Sequence, residues 1–300
     1  MSLKPPRLRQ GDPIGVLAPA GPVDHDELRP GIEALESLGF PVVLSSHAFS
    51  RTGYLAGGDE LRLRDLHAMF EDERIKAILC ARGGYGVLRL FENMDFELVR
   101  KHPKILVGYS DITALLLAVY KKSRLVTVHG PVLRDMGKNR GRNLASLMNL
   151  LTSREPFALQ CREGRAVIPG SAEGRLIGGN LSLITHLLGT PFMPSPEGSL
   201  LFVEEKGESL YRIDRMLTHL RLSGFLARCE GVMIGSFEDC GDPSEVDALI
   251  EERLGDLGVP VMTGLPVGHG EENVALPIGV KAVLDATEGT LALKEPCVLR

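Results

Sequence analysis

Residues 104–122, KILVGYSDITALLLAVYKK, decide the fold class of this chain. The stretch opens with an apolar run at residues 105–107, passes through a short turn at residues 108–111, and continues into an apolar segment long enough for a helix. Strands that are apolar throughout are typical of a parallel sheet covered on both faces. The stretch therefore predicts a buried strand, a tight turn and a helix, which is the repeating unit of α/β folds.

The same alternation extends outward from this stretch. Strand-like apolar runs occur in DPIGVLAP, PVVLS and IKAILCA before it and in LVTVHG after it. Helical patterns separate the earlier runs, with apolar residues three or four positions apart, as in Leu28, Ile32 and Leu35. We therefore predict an N-terminal, doubly wound, Rossmann-like parallel sheet with helices on both faces.

The second half of the chain has a different pattern. Its strand-like runs, SLLFVE, GVMIGS and VKAVLDA, are separated by more turns, which predicts a mixed α/β domain with some antiparallel pairing. The basic and polar segments DMGKNRGRN and LTSREPFALQCREG interrupt the alternation between the halves. We expect an N-terminal domain of residues 1–155, a C-terminal domain of residues 170–300 and a linker at about residues 156–169.

Composition and charge narrow the classes of function. The 300-residue chain is 44% hydrophobic and has a formal net charge of -5, so neither nucleic acid nor an anionic membrane surface is an expected partner. Its sequence contains no apolar run of about 18 residues, and no membrane-spanning helix is expected. The basic start is interrupted by Asp12 and Pro13, which is not typical of a secretion signal.

Cysteine and histidine spacing argues against metal or disulfide chemistry. The five cysteines are widely spaced and include no C-x-x-C pair. The eight histidines show no H-E-x-x-H or similar ligand spacing. We therefore expect no metal and no cofactor.

Candidate site residues are those that directly follow strand-like runs, because ligands bind beyond the carboxyl ends of strands in open α/β sheets. Ser110 stands at the turn between a strand and a helix, where the amides of the first helical turn could stabilise an oxyanion. Taken alone, the spacing favours an ordinary helix N-cap over a nucleophile. The loop ARGGYG at residues 81–86 could cradle an anion or simply form a tight turn.

Two further strand ends carry titratable side chains. Glu204 and Glu205 follow SLLFV, and because neighbouring strand residues point in opposite directions, only one can face a given cleft. His269 lies between two glycines in GLPVGHG, and His129 also ends a strand-like run. Each of these residues could instead belong to a solvated loop or to the core.

The blocks ARGGYG, GYSDITALL, HGP, LIGGNLSLI, LFVEEKGESLYRIDRMLTHL and GLPVGHG, taken in this order, resemble those of the LD-carboxypeptidase family of serine peptidases. The resemblance covers nearly the whole chain. It implies that Ser110 is the nucleophile, Glu204 the acid of the catalytic triad and His269 the base. It also implies an oxyanion hole made of the backbone N–H groups of Gly84 and Asp111.

The family resemblance also implies a substrate and a cellular setting. Members release the terminal D-alanine of muropeptide tetrapeptides during cell-wall recycling in the cytoplasm, and known members are dimers with the triad spanning both halves. We therefore expect a cytoplasmic, homodimeric serine carboxypeptidase that acts on a muropeptide. Asn180, in the GGN block, is a candidate substrate contact.

Three alternatives remain open on the sequence alone. A sister group of the family inactivates peptide–nucleotide antibiotics of the microcin C type. A non-catalytic homologue could bind peptides or amides in the same cleft. The Rossmann-like first half could also indicate a nucleotide-dependent oxidoreductase, although the glycine-rich loop follows the third strand and lacks the G-x-G-x-x-G spacing.

Overall fold

A computed structural model describes residues 2–137 and 141–299. The chain forms two compact units. Unit 1 contains the chain up to Arg154, together with Val274–Pro277 and a C-terminal segment that begins at Cys297. Unit 2 contains Glu155–Asn273 and Ile278–Pro296.

A six-stranded sheet in the order β12-β5-β4-β3-β1-β2 forms the centre of unit 1. Its strands, numbered along the whole chain, are β1 (Ile14–Leu17), β2 (Val42–Leu44), β3 (Ala77–Cys80), β4 (Ile105–Gly108), β5 (Thr127–His129) and β12 (Leu276–Ile278). The pairings among β1 to β5 are all parallel. The helices are α1 (His25–Ser37), α2 (Asp59–Glu71), α3 (Phe96–Lys101), α4 (Ile112–Ser123), α5 (Leu133–Met136) and α6 (Arg142–Thr152), with a 3₁₀ helix at Val87–Leu90.

Burial explains why the apolar runs fold in this way. All four residues of β1, β3 and β4 are buried, as expected for strands covered on both faces. Helix α4 is buried along nearly its whole length, because it is apolar on all sides, and its charged residues Lys121 and Lys122 are confined to the last turn. The strand, turn and helix at residues 104–122 therefore form the interior of unit 1.

Unit 2 is built on an eight-stranded mixed sheet in the order β6-β14-β13-β8-β9-β10-β11-β7. Its strands are β6 (Ala158–Gln160), β7 (Arg165–Ile168), β8 (Ser171–Asn180), β9 (Ser199–Lys206), β10 (Gly231–Glu238), β11 (Val261–Thr263), β13 (Lys281–Asp285) and β14 (Thr290–Leu293). Its helices are α7 (Leu181–Leu187), α8 (Leu210–Leu222) and α9 (Pro243–Leu254), with a 3₁₀ helix at Leu226–Arg228. The four central strands from β8 to β11 pair in parallel, and the outer pairs are antiparallel. The predicted fold class, a parallel N-terminal sheet followed by a mixed C-terminal sheet, is confirmed.

Two segments differ from the expected domain layout. The expected linker at residues 156–169 contains β6 and β7, which are the two edge strands of the second sheet. These strands are three and four residues long and none of their residues is fully buried, so they lack the long apolar run that marks a buried strand. The chain also returns to unit 1 at Val274–Pro277 and again from Cys297, so the region after residue 170 is shared between the units.

None of the helices formed by the described residues is both long enough and apolar enough to cross a bilayer.

Candidate active site

Ser110 occupies the turn between β4 and α4 in a conformation that is rare for its residue type. Its φ is 64°, and among the described residues only two other non-glycine positions, Arg124 and Asp239, have positive φ. Left-handed backbone in a residue with a side chain costs free energy and is concentrated at functional sites. Helix α4 has Asp111 as its N-cap, and the described hydrogen bonds include none from the Ser110 hydroxyl, so Ser110 is not an ordinary capping serine.

The glycine-rich loop packs directly against Ser110. A Cβ atom added to Gly83 would lie 2.7 Å from Ser110 Cβ and 2.9 Å from Ser110 Oγ. Gly84 has a φ of 116°, and a Cβ atom there would lie 3.1 Å from the Cα and N atoms of Gly21. The glycines are therefore needed for the close approach of three backbone segments, which is more than a tight turn requires.

Within the described residues, two backbone amides near Ser110 have no internal acceptor. None of the hydrogen bonds that the described residues make uses the N–H of Gly84 or the N–H of Asp111 as a donor. Asp111 N–H is close to the N-terminus of α4, where the helix dipole favours negative charge. Both amides could therefore donate to an anion.

The Asp111 side chain is buried and turned towards the glycine-rich loop. Its carboxylate accepts a hydrogen bond of 3.0 Å from the backbone N–H of Val87. Burial raises the pKa of Asp111 to about 6, although the backbone amides of Val87 and Gly86 and the nearby Arg62 act in the opposite direction. The side chain thus connects the start of α4 to the segment that follows the glycines.

In unit 2, Glu204 and His269 form a buried pair. Glu204 is near the end of β9 and is fully buried, and its Oε2 lies 2.6 Å from Nδ1 of His269. The imidazole is also largely buried, with 13% of its side chain exposed. A buried carboxylate at this distance fixes the orientation of the ring and favours the tautomer with the proton on Nδ1.

The loop that carries His269 is held by short contacts on both sides of the histidine. Gly268 has a φ of 122°, and a Cβ atom there would lie 2.6 Å from Ser236 Oγ and 2.8 Å from Glu204 Oε2. Gly268 N–H donates to Asn273 Oδ1 over 3.1 Å, and Gly270 N–H donates to Ser236 Oγ over 3.0 Å. Gly268 therefore serves close packing against Glu204, and Gly270 serves close packing against Ser236.

Ser236 is a residue of this site that the sequence analysis did not single out. It is located at the end of the apolar run GVMIG in β10 and accepts the hydrogen bond from Gly270. The search for polar residues after strand-like runs could have found it.

Glu205 has a different environment from its neighbour. Asn180 Nδ2 donates to Glu205 Oε1 over 2.8 Å, and the N–H and hydroxyl of Ser182 donate to Oε2 over 2.8 and 2.7 Å. The amide of Lys206 also donates to Oε1, over 2.9 Å. Burial raises the pKa of Glu205 despite these hydrogen bonds. Glu205 therefore ties β9 to the start of α7, while Glu204 faces the histidine.

The remaining candidates are placed as follows. Asn180 is buried, caps α7 by accepting from Leu183 N–H, and donates to Glu205. His129 is fully buried at the end of β5, with its ring against Tyr109. Arg82, the second residue of the candidate loop ARGGYG, donates to the carbonyl of Pro22. In the described ranges, no group of three or more His, Cys, Asp or Glu side chains could hold a metal ion.

Both units match family models. The model described as the LD-carboxypeptidase N-terminal domain matches residues 14–130. The model described as the LD-carboxypeptidase C-terminal domain matches residues 173–284. Together the two matches cover well over half of the chain, and the family resemblance inferred from the sequence blocks is confirmed.

Curated relatives match over almost their full length. The probable murein peptide carboxypeptidase of Bacillus subtilis (strain 168) is 41% identical over 303 residues, covering 98% of this chain and 95% of the relative. The murein tetrapeptide carboxypeptidase of Pseudomonas aeruginosa is 35% identical, with coverage of 91% and 92%. The microcin C7 self-immunity protein MccF of Escherichia coli is 27% identical, with coverage of 96% and 94%.

Solved structures give the same result. An MccF-like protein from Bacillus anthracis str. Ames has a TM-score of 0.92 and 28% identity, covering 98% of this chain and all of its own. The muramoyltetrapeptide carboxypeptidase from Oxalobacter formigenes has a TM-score of 0.84 and 31% identity, with coverage of 94% and 97%. On these matches to both halves, the chain belongs to the LD-carboxypeptidase family and is a hydrolase with carboxypeptidase activity.

Proposed function

We propose that this protein is a serine carboxypeptidase that releases the terminal D-alanine of muropeptide tetrapeptides through Ser110, His269 and Glu204. The observation that carries the proposal is the contact of 2.6 Å between the buried Glu204 carboxylate and His269 Nδ1. When Nδ1–H donates to the carboxylate, Nε2 is left as an acceptor, which is the tautomer that a general base requires. The environment of Glu205, which is bonded to other partners, supports Glu204 as the acid of the triad.

In this mechanism, His269 Nε2 removes the proton from the Ser110 hydroxyl while Oγ attacks the carbonyl carbon of the L,D-peptide bond. The C–N bond then breaks, His269 returns the proton to the leaving amine, and D-alanine departs. Water, activated by the same imidazole, hydrolyses the acyl-enzyme on Ser110. The mechanism requires Ser110 Oγ and His269 Nε2 to come within about 3 Å of each other.

The oxyanion of the tetrahedral intermediate would be bound by the backbone N–H groups of Gly84 and Asp111. Support comes from the close packing of the glycine-rich loop against Ser110 and from the absence of an internal acceptor for either amide among the described residues. Preorganised backbone donors stabilise developing negative charge without having to reorient during the reaction. The left-handed turn at Ser110 supports a nucleophile held in a strained, half-buried position.

Muropeptides are the proposed substrate class because the relative from Pseudomonas aeruginosa and the structure from Oxalobacter formigenes are named as carboxypeptidases of murein or muramoyl tetrapeptides. Asn180 is retained as a proposed substrate contact. We also propose that the enzyme acts in the cytoplasm as a homodimer. Sedimentation of the purified protein as a monomer would contradict the dimer.

The decisive experiment is mass spectrometry of a muropeptide tetrapeptide incubated with the wild type, with Ser110→Ala and with Ser37→Ala. Ser37 donates to Ala34 at the end of α1, so its variant controls for loss of a hydroxyl elsewhere in unit 1. We expect loss of one alanine with the wild type and with Ser37→Ala, and none with Ser110→Ala. Turnover by Ser110→Ala would contradict the nucleophile, and an intact peptide with all three proteins would contradict the substrate.

A second candidate is inactivation of peptide–nucleotide antibiotics of the microcin C type. It is favoured by the MccF-like structure, which superposes with a TM-score of 0.92, against 0.84 for the muramoyltetrapeptide carboxypeptidase. Higher sequence identity to the murein enzymes argues for the first candidate. The same assay with a microcin C-type conjugate distinguishes the two, because only a microcin-type enzyme would cleave the conjugate and leave the tetrapeptide intact.

A further inference from the structure

We propose that Arg62 and Asp111 are positioning residues that hold the two ends of the Gly86–Val87 peptide group and thereby fix the glycine-rich loop. The inference rests on the proposed function, in which the N–H groups of Gly84 and Asp111 bind the oxyanion. Neither side chain touches the reacting atoms in this scheme. Both act through the backbone that carries the donors.

Arg62 holds the carbonyl end of this peptide group. Its side chain is almost fully buried, with 1% exposure, and Nη1 donates to the carbonyl of Gly86 over 2.9 Å and also to the carbonyl of Pro19. Nη2 contacts the carboxylate of Asp59, which is partly exposed. An arginine is rarely buried to this degree, so its two backbone acceptors point to a specific role in fixing loops.

Asp111 holds the amide end of the same peptide group. Its carboxylate accepts from Val87 N–H over 3.0 Å, and the side chain is 3% exposed. The carbonyl of Gly86 and the N–H of Val87 belong to one peptide plane, so a cation lies at its negative end and a carboxyl group at its positive end. Rotation of this plane would place the carbonyl against Asp111 and the N–H against Arg62, which is electrostatically unfavourable.

Space around Gly86 supports the same conclusion. Its φ is 128°, and a Cβ atom there would lie 2.6 Å from Leu55 Cδ2 and 2.8 Å from Arg62 Nη1. The guanidinium can therefore reach the carbonyl only because the residue is glycine. The conformation of the loop and the position of Arg62 depend on each other.

The consequence for catalysis follows from where the donors are. Gly84 lies two residues before the clamped peptide group, and the second proposed donor is the backbone N–H of Asp111 itself. Asp111 thus supplies one donor through its backbone N–H, and its side chain fixes the loop that carries the other donor, Gly84. Arg62 also binds the carbonyl of Pro19 and so connects a further segment to the glycine-rich loop. Two residues later in that segment, Gly21 N–H donates to the carbonyl of Gly83 over 3.0 Å.

The test uses the full-length protein and the variants Asp111→Ala, Asp111→Asn and Arg62→Lys, with Asp65→Ala as the matched control. Asp65 is also a buried carboxylate that accepts a backbone N–H, but its partner is His47. The first measurement is the rate at which a fluorophosphonate labels Ser110, followed by mass spectrometry. We expect Asp111→Ala to slow labelling and kcat about 100-fold or more, with KM changed much less, because loss of one oxyanion donor has about this effect.

We expect Asp111→Asn to restore most of the rate, because an amide oxygen can still accept from Val87 N–H. Arg62→Lys keeps the charge but not the planar fork, so labelling should slow about 10-fold, and Asp65→Ala should label at the wild-type rate. Labelling of Asp111→Ala and Arg62→Lys at the wild-type rate would overturn the inference. If Asp111→Ala does not fold, the labelling rate of Arg62→Lys decides between the outcomes.

Hydrogen exchange separates failure of this inference from failure of the proposed function. The amide of Val87, which donates to Asp111, should exchange at least 10-fold faster in Arg62→Lys and Asp111→Ala than in the wild type, while those of β4 should be unchanged. Faster exchange without any labelling of wild-type Ser110 would refute the proposed nucleophile and leave the clamp intact. Unchanged exchange would refute the clamp whatever the enzyme does.

Discussion

Replacing Glu204 by glutamine exchanges one carboxylate oxygen of the proposed triad for an NH2 group and removes the negative charge. Glu204 is fully buried, and its Oε2 lies 2.6 Å from His269 Nδ1. When His269 accepts a proton from Ser110, the carboxylate and the imidazolium become a buried ion pair. For charges about 4 Å apart at an effective dielectric constant of about 20, their attraction is about 4 kcal/mol.

That attraction corresponds to about three orders of magnitude in rate, because each factor of ten is worth about 1.4 kcal/mol. A glutamine can also place its NH2 group against Nδ1 and select the wrong tautomer, an effect worth up to about 10⁴ in kcat in triads of this kind. We therefore expect kcat for release of D-alanine to fall 10³- to 10⁴-fold in Glu204→Gln. KM should change little, because Glu204 is not expected to touch the substrate.

The neighbouring Glu205→Gln is the matched comparison. Glu205 accepts hydrogen bonds from Asn180, Ser182 and Lys206, and a glutamine NH2 group cannot accept any of them. This variant should lose about 1–3 kcal/mol of stability and keep kcat within about 10-fold of the wild type. Steady-state release of D-alanine and thermal denaturation of both variants measure the contrast. Wild-type kcat in Glu204→Gln, or a larger loss in Glu205→Gln, would refute the assignment of the acid.

Three further predictions concern the surroundings of the site. Gly268→Ala should reduce activity strongly, because the new Cβ would lie 2.8 Å from Glu204 Oε2 at a φ of 122°. The measurement is kcat, and the control is Gly241→Ala, where φ is also positive but no atom lies within 4 Å of the added Cβ. Burial raises the pKa of Asp111 from 3.8 to about 6, so the native state binds this proton more tightly than the unfolded state. The free energy of unfolding should therefore fall by up to about 3 kcal/mol as the pH rises from 4 through 6. Denaturation at both pH values should show this decrease in the wild type but not in Asp111→Asn. Asn180→Ala should lower stability by about 1 kcal/mol through loss of the α7 cap, and unchanged KM and kcat in this variant would exclude Asn180 as a substrate contact.

The interior of unit 1 could be predicted from the sequence because its signal is local. The apolar run of β4 and the apolar helix α4 are both buried, and burial on all sides demands an uninterrupted apolar sequence. The edge strands β6 and β7 could not be predicted in the same way. Their pairing is with β14 and β11, more than 90 residues further along the chain, and their exposed positions tolerate polar residues.

The candidate site was predictable in its positions but not in its contacts. Alternation along β9 predicts that Glu204 and Glu205 point in opposite directions, but only the fold shows that Asn180 and Ser182 lie on the side of Glu205. The burial of Arg62 could not be predicted from the sequence, because an arginine in the charged helix pattern DELRLRDL predicts a solvated side chain. Its burial depends on the Pro19 and Gly86 carbonyls, which distant segments bring together.

The return of the chain to unit 1 has a consequence for synthesis on the ribosome. Strand β12, which lies beside β5 in the first sheet, begins at Leu276, and the C-terminal segment from Cys297 also belongs to unit 1. Cys297 and Leu299 contact Leu150 and Pro5 through backbone carbonyls. The N-terminal half therefore cannot complete its sheet when its own residues have left the exit tunnel. It must wait, with the β5 edge unpaired, until Leu276–Ile278 have been translated.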